Sequence, residues 1–121
     1  MNEFAKLISF LFHSRTQTHI FHLQTDSFAA HMALNGYYDG IIPLVDGLVE
    51  SYQGKNGIVT GYSNYKLSEY KGNGQTIAYL EQLCSAIDQT FNSIEDTYIQ
   101  NQLDTITELV KSTIYKLKNL N

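Results

Sequence analysis

Three of the four histidines in this 121-residue chain, His19, His22 and His31, fall within thirteen positions, and two carboxylates, Asp46 and Glu50, follow at a four-residue interval. Neutral imidazoles combined with carboxylates form a donor set that suits iron, manganese or zinc. Asp46 and Glu50 share a face if they lie on one helix. His19 and His31 stand six residues on either side of Thr25. In an antiparallel helical hairpin turning near that residue they would lie at the same height, because helical rise is constant. His31 and Asp46 are fifteen residues apart, about 22 Å along a helix, and cannot bind one ion within one chain. They can do so across a two-fold axis if the second helix packs antiparallel against its own copy. The midpoint of 31 and 50 falls near Gly40, with Gly36 one turn earlier, where small residues would let two helices approach. The plainer reading of all these side chains is polar groups on exposed faces. Under that reading His13 and His22 are solvated, and Asp46 and Glu50 are an exposed pair.

Periodicity predicts the elements that would hold this set. Residues 3–23 carry Phe4, Leu7, Ile8, Leu11, Phe12, Ile20 and Leu23 at helical spacing. Asp26 or Ser27 would cap a second helix over about 27–53, with Phe28, Met32, Leu34, Tyr38, Ile41, Val45 and Leu48 among its partly buried residues. Pro43 lies inside that helix and predicts a kink near Asp39 and Gly40. Five of the eight glycines crowd into residues 54–74. That stretch is expected to be the most mobile or least regular part of the chain. Its Tyr62, Tyr65, Leu67 and Tyr70 are candidates to anchor it. Two more helical stripes follow, Ile77 to Ile94 and Ile99 to Leu117, with a tight turn expected near 94–96. Cys84 lies on the first of these stripes and reads as a small buried hydrophobe. Tyr37 and Tyr38 read as aromatic packing at a helix interface. The sum is an all-α four-helix bundle of two hairpins joined by a glycine-rich crossover, one domain over 1–121.

Composition limits the function classes. Eight Lys and Arg against twelve Asp and Glu give a net charge of −4, which disfavours DNA binding by phosphate neutralisation. A single cysteine excludes an internal disulfide and a thiolate zinc cage. No apolar run approaches the roughly 20 residues that span a bilayer, so no membrane partner is expected. The amino terminus, MNEFAKLISFLF, reads as a helix start rather than a signal peptide, and the expected location is cytoplasmic.

The intervals between His19, His31, Asp46 and Glu50, twelve, fifteen and four residues, resemble the ferroxidase-site spacing of the Dps family, small ferritin-like proteins of starved bacteria. Phe28 before the second histidine and Asp46-x-x-x-Glu50 after Tyr37-Tyr38 fit the same pattern, and the resemblance covers about residues 15–54. It implies a ferritin-like fold and an Fe(II) site, alternatively taking Mn or Zn, with ferroxidase or iron-detoxifying chemistry. It also implies a homodimer or higher even-numbered oligomer, in which His19 and His31 come from one subunit and Asp46 and Glu50 from its mate. Several positions depart from the family. Asn35 stands where a further carboxylate is frequent, and Ile20 stands where a tryptophan follows the first histidine. His22 takes the first-histidine position if the turn is shorter. The glycine-rich stretch replaces a short helix that helps build the family's dodecameric shell. The brevity of the chain suggests a phage-borne or accessory member. The competing expectation is a non-enzymatic helical interaction protein on the same scaffold, using its surface or the 54–74 segment to bind a partner.

Overall fold

The structure, a computed structural model, describes residues 2–120. It contains four helices and, among the described residues, no strand: α1 (Glu3–Gln24), α2 (Phe28–Asn56), α3 (Asn73–Ser93) and α4 (Thr97–Asn119). Their boundaries follow from local chemistry. Asn2 Oδ1 accepts from the Ala5 amide at 3.0 Å to start α1, and Ser27 Oγ accepts from the Ala30 amide at 3.1 Å to start α2. Ser27, not Asp26, is therefore the cap. The turn between α3 and α4 is Ile94–Asp96, as the capping residues there predict. No helix among the described residues is long and apolar enough to cross a membrane.

Each helix buries one stripe. In α2 the inward positions are Ala30, Ala33, Leu34, Tyr37, Ile41, Val45 and Leu48, spaced at three and four residues. They meet Leu7, Ile8 and Leu11 of α1, Leu80, Leu83 and Ile87 of α3, and Leu103, Ile106 and Val110 of α4 in one core. Cys84 is buried at the edge of this core, and burial pushes its thiol pKa up, which keeps it protonated and inert. Phe28 and Met32 were expected to be partly buried, but they are 76% and 51% exposed. They fall off the inward stripe, and only Ala29, Ala33, Lys116 and Leu120 line the shallow cavity beside them. Helix α2 also extends three residues further than its periodicity predicts and continues through Pro43, which sits on the exposed face.

Contacts at the helix ends fix who neighbours whom. The Phe4 ring at the start of α1 stacks on Tyr52 near the end of α2, with centroids 3.7 Å apart. Lys55 Nζ at the end of α2 donates to both Asp96 oxygens at 2.7 and 2.9 Å, at the start of α4. Asn73 at the start of α3 donates to the Leu117 carbonyl at 3.3 Å, near the end of α4. Thr25, just past α1, donates to the Tyr70 hydroxyl at 3.3 Å, just before α3. Helix α1 packs on α2 and α3, and α4 packs on α2 and α3.

The segment between Gly57 and Gly72 is non-helical and lies along α1. Thr60 meets Asn2, Ser63 meets Ser9, Lys66 meets His13, Ser68 meets Gln17 and Tyr70 meets Gln24. It is therefore an extended strap running the same way as α1. Ten residues of extended chain cover about 33 Å, which matches the length of the 22-residue helix beneath it. Positive φ at Gly57 (+86°) and Gly72 (+128°) lets the chain leave α2 and turn into α3 where a side chain would be strained. Val59 is the one buried residue of this segment, while Tyr65 packs on Phe10 and Tyr70 on Phe21.

Candidate metal centre

The α1–α2 turn is three residues, 25–27, and it brings the last turn of α1 against the first turns of α2. His22 and His31 face each other there. Their rings stack with centroids 3.6 Å apart and 20° between planes. The pairing is reciprocal: His22 Nδ1 lies 2.7 Å from the His31 carbonyl oxygen, and His31 Nδ1 lies 2.9 Å from that of His22. A carbonyl oxygen only accepts, so both Nδ1 atoms carry their protons, and in the neutral form of either ring the lone pair is on Nε2. A histidine whose other nitrogen donates to a backbone carbonyl is in the tautomer used for metal coordination, with its ring held in place.

His19 stands beside this pair, in a second stack turned across the first. Its ring lies 4.1 Å from that of Tyr38, nearly parallel, and 5.8 Å from His22 edge to face. Tyr38 also meets His22 edge to face at 5.2 Å, and Phe28 closes the other end against His31 at 6.3 Å. The sequence pairs His19 with His31 across the turn, whereas the structure inserts His22 between them. His22 was expected to be solvated, but it is buried. The alternative in which His22 takes the first-histidine position is the one with ring-to-ring contact.

Asp46 and Glu50 both lie on exposed positions of α2, one turn apart, and neither meets the histidines. About 22 Å of helix separates Asp46 from His31. Among the described residues no group of three or more His, Cys, Asp or Glu side chains is placed to hold a metal ion within one chain. The solvent-facing line of α2 that contains them also carries Gly36 and Gly47, where an added Cβ would meet nothing within 4 Å. Gly40 instead faces inward against Leu109 at 3.4 Å, so of the two glycines expected to ease a helix–helix approach only Gly36 faces outward.

Of two further tyrosines, one is interior and one is partly buried. Tyr37 is fully buried and hydrogen-bonds Ser14 Oγ at 2.7 Å, and burial pushes its pKa well above the ordinary tyrosine value. Tyr79, which the apolar stripe of α3 did not single out, is paired with His13 at 2.7 Å. His13 was expected at the surface. The signal that would have found it is its spacing from Ser9 and Gln17, the α1 face that the strap covers.

Residues 22–117 match a family described as a family of unknown function, DUF5856. No curated protein matches the chain, and no solved structure does.

Proposed function

The chain belongs to the DUF5856 family, and since that membership carries no activity with it, we propose from the histidine cluster a Dps-like function: binding of Fe(II), or alternatively Mn(II) or Zn(II), at a site between two subunits. His22 and His31 are the imidazole ligands of one subunit, with His19 beside them, and Asp46 and Glu50 are the carboxylates of the other. The observation that carries this reading is the reciprocal Nδ1-to-carbonyl pairing, which leaves Nε2 of both rings outside that pairing and open to a ligand. Iron(II) bound by such ligands is the substrate, oxidised where an open coordination position admits the oxidant. The chain's own part is to hold both imidazoles in orientation through their Nδ1 bonds and to supply negative charge for the ion from α2 of the mate. Glu50 suits a bridging role and Asp46 a terminal one.

A ferritin-like arrangement of two antiparallel hairpins joined by a glycine-rich crossover is part of the proposal. It is supported by contacts at one end of the bundle, between the end of α1 and the starts of α2 and α3, and between the start of α3 and the end of α4. The strap that returns along α1 has the length such a crossover needs.

Subunit mixing is the decisive experiment. His31→Ala and Glu50→Ala should each abolish accelerated Fe(II) oxidation. When the two variants are mixed and allowed to exchange, half of the dimers become heterodimers, each with one doubly damaged and one intact site, so about a quarter of the sites return. A site built within one chain stays dead in every mixture. His19→Ala and His22→Ala, measured separately, decide which histidine partners His31.

One observation favours a second reading, a helical interaction protein that uses this end of the molecule. Leu23, Phe28 and Met32 cluster in sequence around the turn with large exposed apolar side chains, 69%, 76% and 51% accessible. If wild-type protein neither binds Fe(II), Mn(II) or Zn(II) nor speeds iron oxidation, this reading replaces the first.

A further inference from the structure

A second histidine site lies on the opposite flank of α1, under the strap, and it is built differently. His13 Nε2 is 3.0 Å from the Lys66 carbonyl oxygen, which can only accept, so Nε2 carries the proton. In the neutral ring Nδ1 is then the acceptor, and the Tyr79 hydroxyl 2.7 Å away donates to it. The two bonds together fix the tautomer, the ring orientation and the direction of the phenol proton. Phe10 and Phe21 close on the Tyr79 ring edge to face, at 5.6 and 6.4 Å. Tyr65, 45% exposed on the strap, covers the imidazole at 5.8 Å. A cavity of about 360 Å³ opens between Phe10, His13, Tyr65 and Tyr79.

From this geometry we infer that Tyr79 is a redox-active tyrosine whose oxidation is coupled to proton transfer to His13. The balanced step removes one electron from the Tyr79 phenol to a one-electron oxidant in solution. The O–H bond breaks as an N–H bond forms at His13 Nδ1, leaving a neutral tyrosyl radical and an imidazolium. The reverse step, with an electron from any one-electron reductant, restores the resting pair. The imidazolium is accommodated without rearrangement, because Nε2–H already donates to Lys66 and the new Nδ1–H points back at the phenoxyl oxygen. Burial raises the Tyr79 pKa far above neutrality, so the phenol does not lose its proton before oxidation and needs the base in contact. The exposed ring of Tyr65 offers the oxidant a stepping point. A purely structural pair, tying the strap to α1 and α3, would require the same distances but not a base.

The test uses metal-free full-length protein and photogenerated ruthenium(III) tris-bipyridine as the oxidant. Flash oxidation should give a persistent neutral tyrosyl signal. Tyr79→Phe should remove most of it, while the other eight tyrosines remain. His13→Gln can make both hydrogen bonds but is not basic, so it should slow radical formation by roughly 100-fold or more, with a thermal midpoint near wild type. Should either variant fail to fold, the wild-type radical alone decides. Its magnetic resonance spectrum must show a strongly coupled, deuterium-exchangeable proton donated by imidazole. A persistent signal unchanged by Tyr79→Phe, a His13→Gln rate equal to wild type, or a radical without that coupling overturns the assignment.

Discussion

The buried pair of Ser14 and Tyr37 allows one hydrogen bond to be removed from either side with unequal consequences. Ser14 Oγ donates to the Leu11 carbonyl at 2.7 Å, so its single proton is committed, and the Tyr37 hydroxyl must be the donor in the 2.7 Å contact between them. Both side chains are fully buried. Tyr37→Phe removes the donor and leaves Ser14 with its Leu11 bond intact, which should cost about 1 kcal/mol, the net worth of one such bond. Ser14→Ala removes the acceptor and leaves the Tyr37 hydroxyl buried without any partner. That should cost about 2–3 kcal/mol, since the desolvation of the hydroxyl is no longer offset. For a chain of this size 1 kcal/mol corresponds to about 3–5 °C in Tm. Urea denaturation followed by far-ultraviolet circular dichroism, at equal m-values, gives both numbers. The double variant should be less destabilised than the sum of the singles by about 1 kcal/mol, because a ring without its hydroxyl no longer needs an acceptor. A Tyr37→Phe penalty equal to or larger than that of Ser14→Ala, or strict additivity, would refute the assigned donor direction.

Alkaline stability follows from Tyr37 and Tyr79, whose pKa values burial raises in the folded state. The folded chain holds these protons beyond the unfolded pKa of about 10, so their contribution is complete below that pH and is lost as pH rises above it. Unfolding free energies from urea titrations should stay nearly level up to about pH 9 and fall above about pH 10 towards a limiting slope near 2.7 kcal/mol per pH unit, which Tyr79→Phe should halve; a profile that stays flat to about pH 11.5 contradicts the burial of both phenols. Pro43→Ala should raise Tm, since an exposed helix-interior proline costs about 3 kcal/mol against alanine and returns only about 1 through the unfolded chain. Calorimetry showing no gain would mean that the Asp39 carbonyl is already satisfied without an amide at 43.

The four helices were legible because each carries one apolar stripe and recognisable punctuation, Ser27 before α2 and residues 94–96 before α4. The partner of His31 was harder to read for a geometric reason. Centring the turn at Thr25 pairs 31 with 19, but the turn occupies 25–27 and is centred on Asp26, which moves the paired position by two residues towards His22. A one-residue error in a turn is doubled across a hairpin. The pairing of His13 with Tyr79 under the strap was not legible at all, since it depends on where an irregular segment lies rather than on the period of either helix. Phe28 and Met32 show the converse: apolar type alone suggested burial, and their phase on α2 decides against it.

The strap is gripped almost entirely by its main chain. Asn2 and His13 donate to the carbonyls of Thr60 and Lys66, Ser9 and Gln24 accept from the amides of Ser63 and Tyr70, and Gln17 makes both bonds to Ser68 at 2.9 and 2.7 Å. In that last pair a side-chain amide satisfies one residue's donor and acceptor as a neighbouring strand would. The path of this segment is thus encoded in α1 and not in the segment itself. Most of its own side chains, all but a few of them exposed, are free to diverge without moving the backbone, whereas Ser9, Gln17 and Gln24 are not. The arrangement makes one flank of the molecule a display surface, whose lettering can be rewritten by mutation while its course over the bundle is held constant.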